Sequence, residues 1–124
     1  MAQILLIEDD VLQGEAYEHA LRKAGHDVYA ASNGRQALQL LRSDAFVPSL
    51  VLTDIVMPEM NGLEIIQYFR AHHPAIPLVA MSGDSASGYL VLASRLGARA
   101  TLEKPIRRES LLQTIQDVLA PAMA

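Results

Sequence analysis

A chain of 124 residues has length for one domain with a single sizeable core and is too short for two. Fourteen Asp and Glu against ten Lys and Arg leave a formal net charge of −4, which excludes the basic face that nucleic-acid binding calls for. The absence of cysteine excludes disulfides, thiolate catalysis and Cys-ligated zinc.

Short β-rich runs alternate with amphipathic stretches. Gln3–Ile7 reads as the first strand; no signal peptide precedes its apolar run at Ile4, so a cytoplasmic protein is expected. Val11–Ala24 reads as a helix with Leu12, Ala16, Ala20 and Ala24 on its inner stripe and Gly25 as a left-handed cap. Strand Asp27–Ala31 and helix Arg35–Ser43, with Ala37, Leu38 and Leu41 inward, come next. Strand Leu50–Thr53 runs into Asp54, the chain turns at Met57-Pro58, and helix Leu63–His72 follows, carrying Ile66 and Phe69. Pro77–Met81 is the fourth strand. Tyr89–Ala93 has strand composition but sits between Ser85-Ala86-Ser87-Gly88 and Leu96-Gly97, a helix start and a helix stop, so a helix is expected. Strand Ala100–Glu103 and helix Arg107–Leu119, with Leu111, Leu112, Ile115, Val118 and Leu119 at helical spacing, complete the chain. No linker divides residues 1–124, and the longest apolar runs fall far short of the roughly 20 residues of a membrane span.

Apolar strands alternating with helices imply an α/β fold, a (βα)5 doubly wound parallel sheet of five strands covered on both faces. Such sheets place their sites at the carboxyl ends of the strands, near the switch in strand order. There the sequence sets Glu8-Asp9-Asp10, Asp54, Ser82-Gly83 and Glu103-Lys104-Pro105. Clustered carboxylates repel one another unless a cation intervenes. Hard oxygen ligands in an incomplete shell suit Mg2+. Mg2+, an ammonium and a hydroxyl around one carboxylate nucleophile outline a phosphoryl site.

Each residue also has a plainer reading. Asp9 or Asp10 can cap the first helix, the assignment favoured for Asp10. Ser82 before Gly is ordinary turn chemistry, and Lys104 alone is a solvated charge. Asp54 resists such a reading, because a carboxylate at the end of a buried run costs free energy unless compensated.

The whole set, from Ile4 to Leu119, resembles the receiver domain of bacterial two-component response regulators, with its flavodoxin-like topology. The resemblance lies in Glu8-Asp9, Asp54-x-x-Met57-Pro58 with Gly62, Ser82-Gly83 and Lys104-Pro105. It implies that Asp54 is the phosphoacceptor, that Asp9 is the principal Mg2+ ligand supported by Glu8 and the Val56 backbone carbonyl, and that Ser82 and Lys104 bind the phosphoryl group. The implied donor is the phosphohistidine of a sensor histidine kinase or phosphotransfer protein, or a small acyl phosphate. Such a protein is a phosphoacceptor with its own transfer and hydrolysis chemistry rather than a classified enzyme, and the Lys104-Pro105 bond is often cis in the family.

Three positions depart from the family. Thr101 replaces the usual aromatic switch residue three before Lys104, which directs signalling to the loop after Ser82 and to Tyr89–Leu92. Val56 cannot orient a water by hydrogen bonding, so slow self-dephosphorylation is expected, with Asp84 the second tuning position. Gly97–Thr101 lacks the acidic pair of receivers joined to winged-helix DNA-binding domains. A stand-alone, chemotaxis-regulator-like receiver is therefore favoured over one excised from a longer regulator or hybrid kinase, acting on a downstream protein partner through Tyr89–Leu92 and the fifth helix, as a monomer or phosphorylation-dependent dimer, without direct nucleic-acid or membrane contact.

Rival classes find less support. Gly83-Asp84-Ser85 approaches a nucleophile elbow, but Ser87 stands where its second Gly belongs. No phosphate-cradling Gly-rich loop is present for a nucleotide or flavin. His19, His26, His72 and His73 read as surface residues near helix ends. A degenerate receiver acting only as a binding module is disfavoured by the presence of Asp9, Asp54, Ser82 and Lys104.

Overall fold

A computed structural model describes residues 2–42, 46–57, 60–83 and 88–120. Five strands, β1 (Gln3–Ile7), β2 (Asp27–Ala31), β3 (Leu50–Asp54), β4 (Leu78–Ser82) and β5 (Ala100–Glu103), alternate with five helices, α1 (Val11–Lys23), α2 (Gly34–Arg42), α3 (Gly62–His72), α4 (Tyr89–Leu96) and α5 (Arg108–Leu119). All pairings are parallel, in the order β2-β1-β3-β4-β5. The strand order reverses between β1 and β3, so the switch point lies where Ile7 pairs with Thr53.

Period-two alternation divides the core into two layers. Leu5, Ile7, Val51 and Ala80 face Ile65, Ile66, Phe69 and Ala93 of α3 and α4, with Ala37 of α2. Ile4, Leu6, Leu52, Val79 and Met81 face Tyr17, Ala20 and Leu21 of α1 and Leu111 and Ile115 of α5. The inner strands β3 and β4 are buried throughout, whereas the edge strands β2 and β5 alternate or lie largely open.

The expected elements are present with ends shifted by one or two residues; α4 is a helix, and the Gly25 that follows α1 has φ 100. Two expectations need correction. Of the expected face Leu12-Ala16-Ala20-Ala24 of α1 only Ala20 is buried: Leu12 is 78% exposed, Ala16 and Ala24 are exposed, and Tyr17 and Leu21 are buried beside Ala20. The face is set by the large apolar side chains of Tyr17 and Leu21, one turn apart, which pack with Ala20 on the layer of Ile4 and Leu6. His26 is half-buried rather than on the surface; its Nδ1 has no hydrogen-bond partner among the described residues, and burial lowers its pKa. The expected end of α2 at Ser43, the turn at Pro58, the helix start at 85–87 and Asp84 lie outside the described residues. Among the described residues no helix is long and apolar enough to cross a membrane.

Candidate phosphoryl-transfer site

The carboxyl ends of β1, β3, β4 and β5 bring Glu8, Asp54, Ser82 and Lys104 to one edge. Asp54 closes β3, is buried, and is held from two sides. Its Oδ1 accepts from its neighbour's backbone, Ile55 N, at 2.9 Å, while Oδ2 lies 3.3 Å from Lys104 Nζ. Thr53 Oγ1 donates to the Asp54 carbonyl at 2.8 Å. Gly62 abuts the same carbonyl: a Cβ there would run into that oxygen and stand 2.6 Å from Ile55 Cα. With Gly62 N donating to Ile55 O at 2.8 Å, the start of α3 is fastened to the residue after the acid. Asn61 caps α3 by accepting from Glu64 N.

Glu8 and Asp9 take different roles. Glu8 is 5% exposed, accepting from Lys104 Nζ at 2.7 Å and from Asp10 N at 3.2 Å. Burial pushes its pKa up to about 7, with Asp54 adding to the rise and the Lys104 and Asp10 hydrogen bonds working against it. Asp9 is exposed, and no hydrogen bond or ion pair engages its carboxylate among the described residues. Asp10 is the N-cap of α1, accepting from Gln13 N at 3.0 Å, so the capping assignment falls on it and leaves Asp9 available. One oxygen each from Glu8, Asp9 and Asp54 lies within 4.8 Å of the others. Three hard oxygen donors, one of them open to solvent, fit a divalent cation such as Mg2+ that retains several waters.

Lys104 follows β5 through a cis peptide bond to Pro105, and its backbone N–H donates to Ser82 O at 2.9 Å. Burial works to lower the Lys104 pKa, but the hydrogen bond to Glu8 and the charges of Asp54 and Glu8 outweigh it, so the pKa is raised and the group is a cation. Ser82 is fully buried at the end of β4, in register with Glu103. Val56 stands two residues past Asp54 with its side chain 54% exposed. Thr101 is exposed on β5, lining a groove of about 340 Å³ with Leu90, Val91, Ser94 and Arg95. Thr53 was not legible as a site residue; a Thr inside an apolar strand carries no signal of its own.

The sequence profile of the response regulator receiver domain matches residues 4–116. The chain belongs to this family. Protein PilH of Pseudomonas aeruginosa is 37% identical to this receiver domain over 122 residues, covering 97% of the chain and 99% of PilH. The transcriptional regulatory protein ZraR of Escherichia coli is 36% identical over 117 residues; the match covers 94% of the chain but only 26% of ZraR, so the receiver spans about a quarter of that relative. The chemotaxis response regulator CheY4 of Vibrio cholerae superposes with a TM-score of 0.85 at 28% identity, over 95% of this chain and 98% of that one. A receiver domain from Clostridium thermocellum, at 24% identity and a TM-score of 0.88, shares the fold. The receiver is thus part of two-component signalling, with the five-stranded doubly wound architecture of its relatives.

Proposed function

We propose that this receiver accepts a phosphoryl group on Asp54 from a histidine kinase or phosphotransfer protein and changes the surface it offers a partner. The observation that carries the reading is the convergence on Asp54 of two further carboxylates and one ammonium, from strand ends distant in sequence. An Asp54 carboxylate oxygen attacks phosphorus, the bond from phosphorus to the donor imidazole nitrogen breaks, and the electron pair leaves with the imidazole, which takes up a proton. Lys104 neutralises charge gathering on the equatorial oxygens, and the Ser82 hydroxyl donates to one of them. Glu8, Asp9 and Asp54 would hold Mg2+ with the Val56 carbonyl, and the ion would supply further charge neutralisation there. The protein is then a stoichiometric acceptor rather than an enzyme acting on a released substrate.

The output side is α4. Val91 and Leu92 are 60% and 43% exposed while only Ala93 of this helix is fully buried, which supports a partner surface over a deeply packed helix. Thr101 removes the aromatic ring from the adjoining groove, so signalling passes through the loop after Ser82 and the exposed face of α4. PilH, matched end to end, favours a stand-alone regulator.

Intact mass after incubation with acetyl phosphate and Mg2+ tests the reading. Wild type gains one phosphoryl group and Asp54→Asn gains none; an adduct on both proteins, or on neither, overturns it.

A further inference from the structure

At the amino ends of β4 and β5, the sheet edge opposite the phosphoryl site, lies a second cluster of charge. Between Glu64 and Glu103 the chain carries Arg70, Arg95 and Arg99 against a single acid, Asp84, which follows the carboxyl end of β4 in sequence. Arg70 and His73 from the end of α3, the Gly97 that ends α4, and Arg99 just before β5 line one cavity of about 90 Å³. Its other walls are apolar, and no carboxylate among the described residues lines it. The cations are held in place without being neutralised. Gly97 has φ 123, and a Cβ there would stand 2.5 Å from Arg70 Cδ and 2.9 Å from Nη1, so the missing side chain lets Arg70 lie against this turn. His73 is fixed through its backbone, its N–H donating to Phe69 O at 2.8 Å and its carbonyl accepting from Ile76 N at 3.1 Å. The usual claim on cations at helix ends comes from bare carbonyls. Here Phe69 O accepts from His73 N, Ala93 O and Ser94 O accept from Gly97 N, and Leu78 O accepts from Arg99 N. Neither the Arg70 nor the Arg99 side chain makes a hydrogen bond or ion pair among the described residues.

We infer that this pocket binds a small phosphate-class oxyanion, inorganic phosphate or a phosphate monoester, between Arg70 and Arg99 with His73 as a third donor. A guanidinium presents its N–H groups in a planar fork that matches phosphate oxygens, and two of them balance a dianion. The imidazole has at least one N–H in either protonation state. The cavity takes one oxyanion and lies well below the roughly 300 Å³ at which pockets for drug-sized ligands begin, so the rest of an ester extends into solvent. Two guanidiniums around one small cavity also fall short of the basic face that a nucleic acid needs. The site stands at the opposite edge of the sheet from Asp54, and its occupancy does not depend on the phosphoacceptor chemistry.

Titration of the isotope-labelled protein with inorganic phosphate tests the site, in buffer free of Mg2+ and held at constant ionic strength with chloride. Amide chemical shifts should change saturably and most strongly at residues 70–73 and 97–99. Arg70→Gln and Arg99→Gln should each weaken binding roughly tenfold, the loss of one charge-assisted hydrogen bond. Arg35→Gln removes the same charge from the exposed face of α2 and should leave the affinity unchanged. Acetate, a monoanion, should bind roughly tenfold more weakly than phosphate. Because Arg70 packs on Gly97, the exposed Arg99 decides the matter if Arg70→Gln folds poorly. Shifts that never saturate, unchanged binding in Arg99→Gln, or equal weakening in Arg35→Gln overturn the site. Shifts centred on Glu8, Asp54 and Ser82 overturn it as well, by placing the anion at the other edge, and acetate binding as tightly as phosphate overturns the ligand class.

Discussion

The Lys104 ammonium donates to the Glu8 carboxylate at 2.7 Å, joining residues 96 positions apart in the chain. Even so, burial leaves Glu8 with a pKa of about 7 against an ordinary 4.5. The folded protein therefore holds this proton more tightly than the unfolded chain does. The stabilisation is fully present below pH 4.5 and is lost as pH rises through about 7, with an upper bound of about 3 kcal/mol. Without Mg2+, the urea midpoint of wild type should fall between about pH 5 and about pH 8 by more than that of Glu8→Gln, which cannot ionise. Equal pH profiles for the two proteins would contradict the burial argument.

Gly62 has a packing role that its place after an N-cap does not reveal. Since a methyl group there meets the backbone of Asp54 and Ile55 rather than a flexible side chain, Gly62→Ala forces α3 away from β3. A loss of roughly 1–3 kcal/mol is expected from overpacking, read as a lower urea midpoint at unchanged slope. Because the displaced carbonyl belongs to Asp54, phosphorylation by acetyl phosphate should slow in the same variant.

Asp9 and Asp10 are neighbours with separable roles. Asp10→Ala removes the cap on Gln13 N and should cost about 1 kcal/mol of stability while leaving phosphoryl uptake intact. Asp9→Ala removes an exposed carboxylate from a repulsive cluster and should leave stability in the absence of Mg2+ equal or higher, while Mg2+ affinity and uptake collapse. Paired urea titrations with and without Mg2+ separate the two, and a shared phenotype would refute the division.

The chemistry-bearing residues were legible because a parallel sheet gathers all its strand ends on one edge, so Glu8, Asp54, Ser82 and Lys104 could be placed together from position alone. What surrounds them was not. Leu12, Ala16, Ala20 and Ala24 satisfy helical periodicity, but so do Tyr17, Ala20 and Leu21, and it is the larger side chains of this second set that pack on Ile4 and Leu6 of the sheet. His26 was read from its place at a helix end, where the sequence cannot show that its Nδ1 is buried.

Val56 is 54% exposed, two residues past the acid of a polar site. Its β-branched side chain cannot orient the water that hydrolyses an aspartyl phosphate, and an amide at the same position can both donate and accept. Val56→Asn should therefore shorten the phosphoryl lifetime by roughly three- to tenfold, the range of one net hydrogen bond, with little change in urea midpoint because most of the residue is exposed. The decay of purified phosphoprotein after removal of acetyl phosphate measures it. Equal decay in the two proteins would move control of the lifetime away from Val56, to the second tuning position at Asp84.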